Sequence, residues 1–186
     1  MRLIAFALSI CCLLGGCTAV DKPQIGVVPT VSPSEEPSFS REEVDIYAAV
    51  IESMVEDMNR FPFKRLYVVD GPVEGAGDPM SGFQRSTDAF SEPMKQALVE
   101  RLDGLPPIGF IARAEEFQLG RNGMDGVKHH GVIITLGPIR RRSATRFHVG
   151  HSQWCGGLCG EWATSVVENI DGKWEVTGTT GPVSIS

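Results

Sequence analysis

The chain has 186 residues, 42% of them apolar, and its 23 acidic against 17 basic side chains give a formal charge of -6. That length holds one domain of ordinary size with some chain to spare, and is short for two. The acidic balance repels nucleic acid and anionic membrane surfaces at long range, so neither is expected as an electrostatic partner.

At the amino end, Met1 and Arg2 give a short positive start and Leu3 to Leu14 an apolar stretch too brief to span a bilayer. Gly15 and Gly16 then place two small residues directly before Cys17. The run Leu14, Gly15, Gly16, Cys17 resembles the lipobox of bacterial lipoproteins. The resemblance implies cleavage before Cys17, diacylation of its sulfur and, as a rule, acylation of the new amino terminus. Residues 1–16 are therefore expected to be a signal peptide that carries Cys11 and Cys12 away with it. Each buried methylene of an acyl chain contributes about 0.8 kcal/mol, so two or three chains hold a domain at a membrane that no helix crosses. The expected location is the cell envelope. Where the host has two membranes, Thr18 after the cysteine resembles the outer-membrane sorting class, with the domain on the periplasmic face. The competing reading of residues 3–14 is a buried helix or an uncleaved anchor.

Residues 17–40 hold Pro23, Pro29, Pro33 and Pro37 among Ser, Thr and Glu, with little apolar periodicity. This composition reads as a tether that reaches about 50 to 70 Å when drawn out at roughly 3.1 Å per residue. The folded domain is expected over 41–186. Ser40 followed by Glu43 makes a capping box, and Val44, Tyr47, Ala48, Ile51, Met54, Val55 and Met58 recur at helical spacing, with a stop expected near Asn59 because Pro62 disfavours a helical conformation at Phe61. A strand is expected at Arg65 to Val69. The Gly- and Pro-rich stretch 70–88 reads as an irregular excursion, with Glu74, Asp78 and Asp88 too scattered for a calcium loop. Ser91 caps a second helix with Met94, Leu98 and Leu102 on one face and Gly104 past its end. Ile108 to Ala112 is a short strand candidate, and Ala114 to Asn122 stays open between a loop and a helical turn.

From Gly131 the pattern changes to strands: Val132 to Leu136, Ala144 to Trp154, Glu161 to Val167, and Trp174 onward after an Asp171, Gly172 hairpin turn. Val132, Ile134, Phe147, Val149, Val166 and Val176 are the residues expected to build the sheet core. Arg140, Arg141 and Arg142 read as a solvated turn. A long amphipathic helix and a second helix packed on an antiparallel meander make an α+β fold, of cystatin-like or nuclear-transport-factor-like architecture in outline.

The segment Gly157 to Gly160, the alternating strand after it, and the Asp171 to Trp174 turn resemble a recurring carboxy-terminal pattern of small bacterial exported proteins. The resemblance covers about the last 50 residues and implies no activity. With Cys17 given to lipid, Cys155 and Cys159 remain, separated by three residues of which two are glycine. In an exported protein they are read as a disulfide across a hairpin mouth. Two readings compete with it. One is a zinc site from Cys155, Cys159, His148 and His151, which needs a bulge at Gly150 because residues three apart on a strand face opposite ways. The other is a redox pair, although the spacing is not C-x-x-C. His129 and His130, as strand neighbours, also diverge.

No serine elbow, carboxylate pair or phosphate loop is visible, and Trp154, Trp162 and Trp174 read as packing residues. The sequence therefore points to a membrane-anchored envelope module that binds or scaffolds, its partner an envelope protein or small ligand, without a cofactor. An envelope enzyme using a Cys/His metal or thiol-redox site is the alternative.

Overall fold

The computed structural model describes residues 39–58, 62–81, 88–121 and 124–186. The expected signal peptide, Cys17 and the tether up to residue 38 lie outside the described residues. Those described fall within one compact unit bounded by Glu36 and Ser186.

The fold is α+β. Helix α1 (Arg41–Asp57) starts on the capping box: the Ser40 hydroxyl accepts from the Glu43 amide at 3.1 Å and Glu43 Oε2 accepts from the Ser40 amide at 2.8 Å. It buries Val44, Tyr47, Ala48, Ile51 and Met54, each large apolar side chain contributing about 1.5–3 kcal/mol when fully covered. Helix α2 (Glu92–Arg101), capped by Ser91, buries Met94 and Leu98 beside it. Arg101 joins the two helices through Asp45 and Glu52 on α1.

Both helices lie over one face of a seven-stranded sheet. Its strands are β1 (Arg65–Val69), β2 (Ile108–Ile111), β5 (Gly131–Arg141), β6 (Arg146–Trp154), β7 (Gly160–Ile170), β8 (Lys173–Thr179) and β9 (Ser184–Ile185). The order is β2-β1-β5-β6-β7-β8, with β9 on the far end of β7. Strands β5 to β8 form the expected antiparallel meander. Strand β1 is parallel to both β2 and β5, so the sheet is mixed. The reason is topological: α2 carries the chain back to the end where β1 began, and a parallel partner requires such a crossover. A separate two-stranded ribbon, β3 (Gln118–Leu119) and β4 (Gly126–Val127), follows a 3-10 turn at Ala114–Glu116.

The loop after β1 differs from the expected irregular excursion over its described part. Val73 and Ala76 are buried in a second apolar cluster with Tyr67, Ile111, Val127 and Ile133, and the Val73 amide donates to Leu136 O at 2.7 Å. The segment covers the sheet face away from the helices. Gly77 lies so close on the Ala163 carbonyl that no Cβ fits there.

The arginine run is also only partly a turn. Arg140 and Arg141 are the last residues of β5, paired with Glu74 (2.5 Å) and Glu42 (3.2 Å) across opposite faces of the sheet. A register shift between Leu136 and Ile139 accommodates Pro138, which a regular ladder excludes. The carbonyl of Gly137 beside it accepts from the buried Tyr47 hydroxyl of α1 at 3.1 Å. Burial, with Glu43 nearby, holds the Tyr47 pKa far above its ordinary value.

Candidate functional site

The helix-facing side of the sheet changes character along its length. Alternation on β6 sends Phe147, Val149, His151 and Gln153 to that face, and on β7 it sends Glu161, Ala163, Ser165 and Val167 there. Phe147, Val149 and Val167 join Trp174 and the helices in the main core. Toward the other end the same rows present His151, Gln153, Glu161 and Ser165.

Those four, with Ser53, Met54 and Asp57 from the end of α1 and Val176 to Thr179 from β8, line a cleft of about 310 Å³. His151 is only 6% exposed. Its Nε2 is 2.9 Å from Ser165 Oγ, a bond that either tautomer satisfies, while its Nδ1 has no partner among the described residues. Burial pushes its pKa down to about 4, so the ring is neutral at physiological pH. Gln153 Nε2 donates to Glu161 Oε2 at 3.0 Å, which turns Gln153 Oε1 away from the carboxylate and leaves it buried without a partner among the described residues. Burial, then the charge of Asp57, raises the Glu161 pKa.

The Ser165 and His151 pair is at nucleophile-and-base distance but is not built for that chemistry. No described residue orients Nδ1, the imidazole is a weak base, and the serine is 3% exposed in the middle of a strand rather than on a turn. What the cleft offers instead is a set of unmade hydrogen bonds.

The residues singled out by sequence lie elsewhere, apart from His151. Cys155 and Cys159 are joined as a disulfide with Cα atoms 5.2 Å apart, closing the turn from β6 to β7. His148 and His151 face opposite sides of β6, whose pairing with β7 runs without a bulge at Gly150. His148 Nδ1 accepts from Arg142 Nε at 3.1 Å, and desolvation, then Arg142 and Arg146, lower its pKa. Among the described residues no three His, Cys, Asp or Glu side chains are grouped to hold a metal ion.

His129 and His130 line a second recess of about 440 Å³ with Cys155 and Cys159. Both histidines are in the left-handed region, at φ 57° and 52°, and Tyr67 Oη lies 2.5 Å from His129 Nδ1. Sequence reasoning missed Gln153, Glu161 and Ser165, although a signal was present: polar residues interrupt the apolar inward row at His151 and Gln153 on β6 and on either side of Ala163 on β7.

No family model, curated protein or solved structure matches the chain. Among the described residues, no helix is long and apolar enough to cross a membrane.

Proposed function

We propose that this chain is a lipid-anchored protein of the cell envelope whose single α+β domain binds a small polar molecule in the cleft between α1 and strands β6 to β8. The anchor rests on the lipobox that ends at Cys17. The binding role rests on one observation: His151 Nδ1 and Gln153 Oε1 are buried at the cleft without partners among the described residues. Leaving a buried polar atom unsatisfied costs about 1–3 kcal/mol, so such atoms recur where a ligand completes them. Nucleic acid is not a partner, because the domain is acidic and its cleft is too.

The test is native mass spectrometry of protein released gently from its own membranes. Wild type should carry a low-mass adduct that Gln153→Leu lacks, and Cys17→Ser should give unprocessed precursor or soluble protein. Identical adduct-free spectra for wild type and Gln153→Leu would end the binding reading. A Cys17→Ser protein of mature mass in the detergent phase would end the lipoprotein reading.

A second reading, an envelope enzyme with a Cys/His metal or thiol-redox site, has one observation in its favour. The left-handed His129 and His130 share a recess with the disulfide, and strained backbone of this kind concentrates at functional sites. Stoichiometric metal, or two free thiols in the protein as isolated, would favour it.

A further inference from the structure

The chemistry of the cleft selects among ligands, and this step rests on the binding reading above. Three titratable side chains line it, Asp57, His151 and Glu161; among the described lining residues none is lysine or arginine. The cleft also receives the carboxy-terminal end of α1, which carries about half a negative elementary charge. That helix has no basic residue in its last turn and instead closes on Asp57. Gln153 is held with its amide donor on Glu161, so the atom left over is an acceptor. The nine-tenths-buried His151 adds an unpartnered Nδ1. Two carboxylates, an unpartnered amide oxygen and an unpartnered ring nitrogen share a space whose other polar side chains, Ser53, Ser165, Thr177 and Thr179, are neutral hydroxyls, so it lacks a compensating positive charge.

We infer that the cleft takes a small organic cation, a primary ammonium or guanidinium group. It sits between Asp57 and Glu161 and donates N–H bonds to Gln153 Oε1 and His151 Nδ1. Such a ligand supplies several donors and one compact positive charge, and its bonds to the carboxylates are of the strong, charge-assisted kind. Binding through Nδ1 also fixes the imidazole: the proton must reside on Nε2 and be donated to Ser165 Oγ. Neutral polyols leave the two carboxylates uncompensated, and anions are repelled by them.

The experiment is a titration of the mature, folded chain with agmatine, which carries both a guanidinium and an ammonium group. It is followed by nitrogen-15 resonances of the His151 ring and backbone shifts around Gln153 and Glu161. D-Glucose and succinate serve as neutral and anionic probes. Agmatine should give saturable shifts confined to the cleft and settle the His151 ring in the Nε2–H tautomer. Glu161→Gln should weaken binding at least tenfold, while Glu115→Gln, on an exposed turn outside the cleft, should not. Asp57→Asn at the exposed end of α1 provides a second variant should Glu161→Gln fold poorly, and it too should weaken binding.

Cleft shifts with glucose or succinate but not agmatine would overturn the cation and leave the binding reading standing. Agmatine binding that Glu161→Gln and Asp57→Asn leave unchanged would overturn the assigned seat. Absence of shifts with all three probes, together with adduct-free native spectra, would remove both.

Discussion

Two ends of one sheet face, under the same helix, are built to opposite rules. In the apolar core beneath α1, Phe147 meets Trp174 edge to face with centroids 5.1 Å apart, and Val149 and Val167 are fully buried around them. Under its last turn the same strand rows carry His151, Gln153, Glu161 and Ser165 around a cleft. A sheet face of this kind gains most by being apolar throughout, since each polar group it covers must find a partner. The apolar end obeys that rule and the polar end departs from it. That departure separates a surface that holds the domain together from one free to do something else.

The largest effect is expected at the apolar end. Phe147→Ala removes a ring that is 3% exposed and should cost about 3–5 kcal/mol in denaturant unfolding, with the cleft residues unaffected so long as the domain is folded. A loss under 1 kcal/mol would mean the two ends are not energetically distinct.

At the polar end the counterpart is a pH effect. The His151 pKa is depressed from 6.5 to about 4 in the folded state. Between those values the unfolded chain binds more protons, so stability is fully present above pH 6.5 and declines as pH falls toward 4. Below that it changes no further on this account. The decline should amount to about 3 kcal/mol. His151→Leu with Ser165→Ala extends the apolar core into the cleft, and it should abolish this decline while leaving stability at pH 7 about the same or higher. Unfolding curves at several pH values check it. A double variant that keeps the wild-type slope would place the titration elsewhere.

Helix α1 was legible because its signals are local: Ser40 and Glu43 cap it, and its apolar positions repeat within a few residues. The hairpin turn at Asp171 and Gly172, both at positive φ, was legible for the same reason. The parallel pairing of β1 was not, because its partners Ile108–Ile111 and Gly131–Arg141 lie far along the chain and parallel register leaves no turn signature. The site was hidden by an ambiguity of phase on β7. Val166 and Val167 are adjacent and both apolar, and counting Val166 inward turns Trp162 and Thr164 toward the helices. In the fold Val167 is the main-core residue, packed opposite Val176, and this sends Glu161 and Ser165 inward instead. A one-residue change of phase exchanges the two faces of a strand completely. The loop at 71–81 misled differently: its glycines signal irregular backbone, yet at Gly77 the missing side chain is what lets it lie flat on the sheet.

The disulfide belongs to the polar end, since it closes the turn directly beyond the Gln153 and Glu161 pair. Cys155→Ser with Cys159→Ser should cost about 2 kcal/mol, because the loop it closes is short. The loss should be local. Amide exchange should quicken around Gln153 and Glu161 and stay unchanged at Phe147 and Val149; uniform acceleration would show that the bridge supports the whole sheet.

The smallest effect, and the finest test of whether the two ends are independent, lies at the start of α1. Ser40→Ala removes the hydroxyl that accepts from the Glu43 amide, one of the four donors at a helix amino terminus, and leaves that amide only the Ser40 carbonyl at 3.1 Å. The expected cost is about 1 kcal/mol. Fraying there loosens the turn that carries Glu42, whose carboxylate meets Arg141 where that guanidinium lies over the Phe147 ring at 5.0 Å. The disturbance should therefore reach the apolar end first. Asp57 sits at the opposite terminus of the same helix, and changes at distant sites without shared partners add rather than couple. Agmatine titration of Ser40→Ala should thus reproduce the wild-type affinity. A several-fold change in affinity would show that α1 moves as one rigid lever, binding the fate of the cleft to the packing of the core.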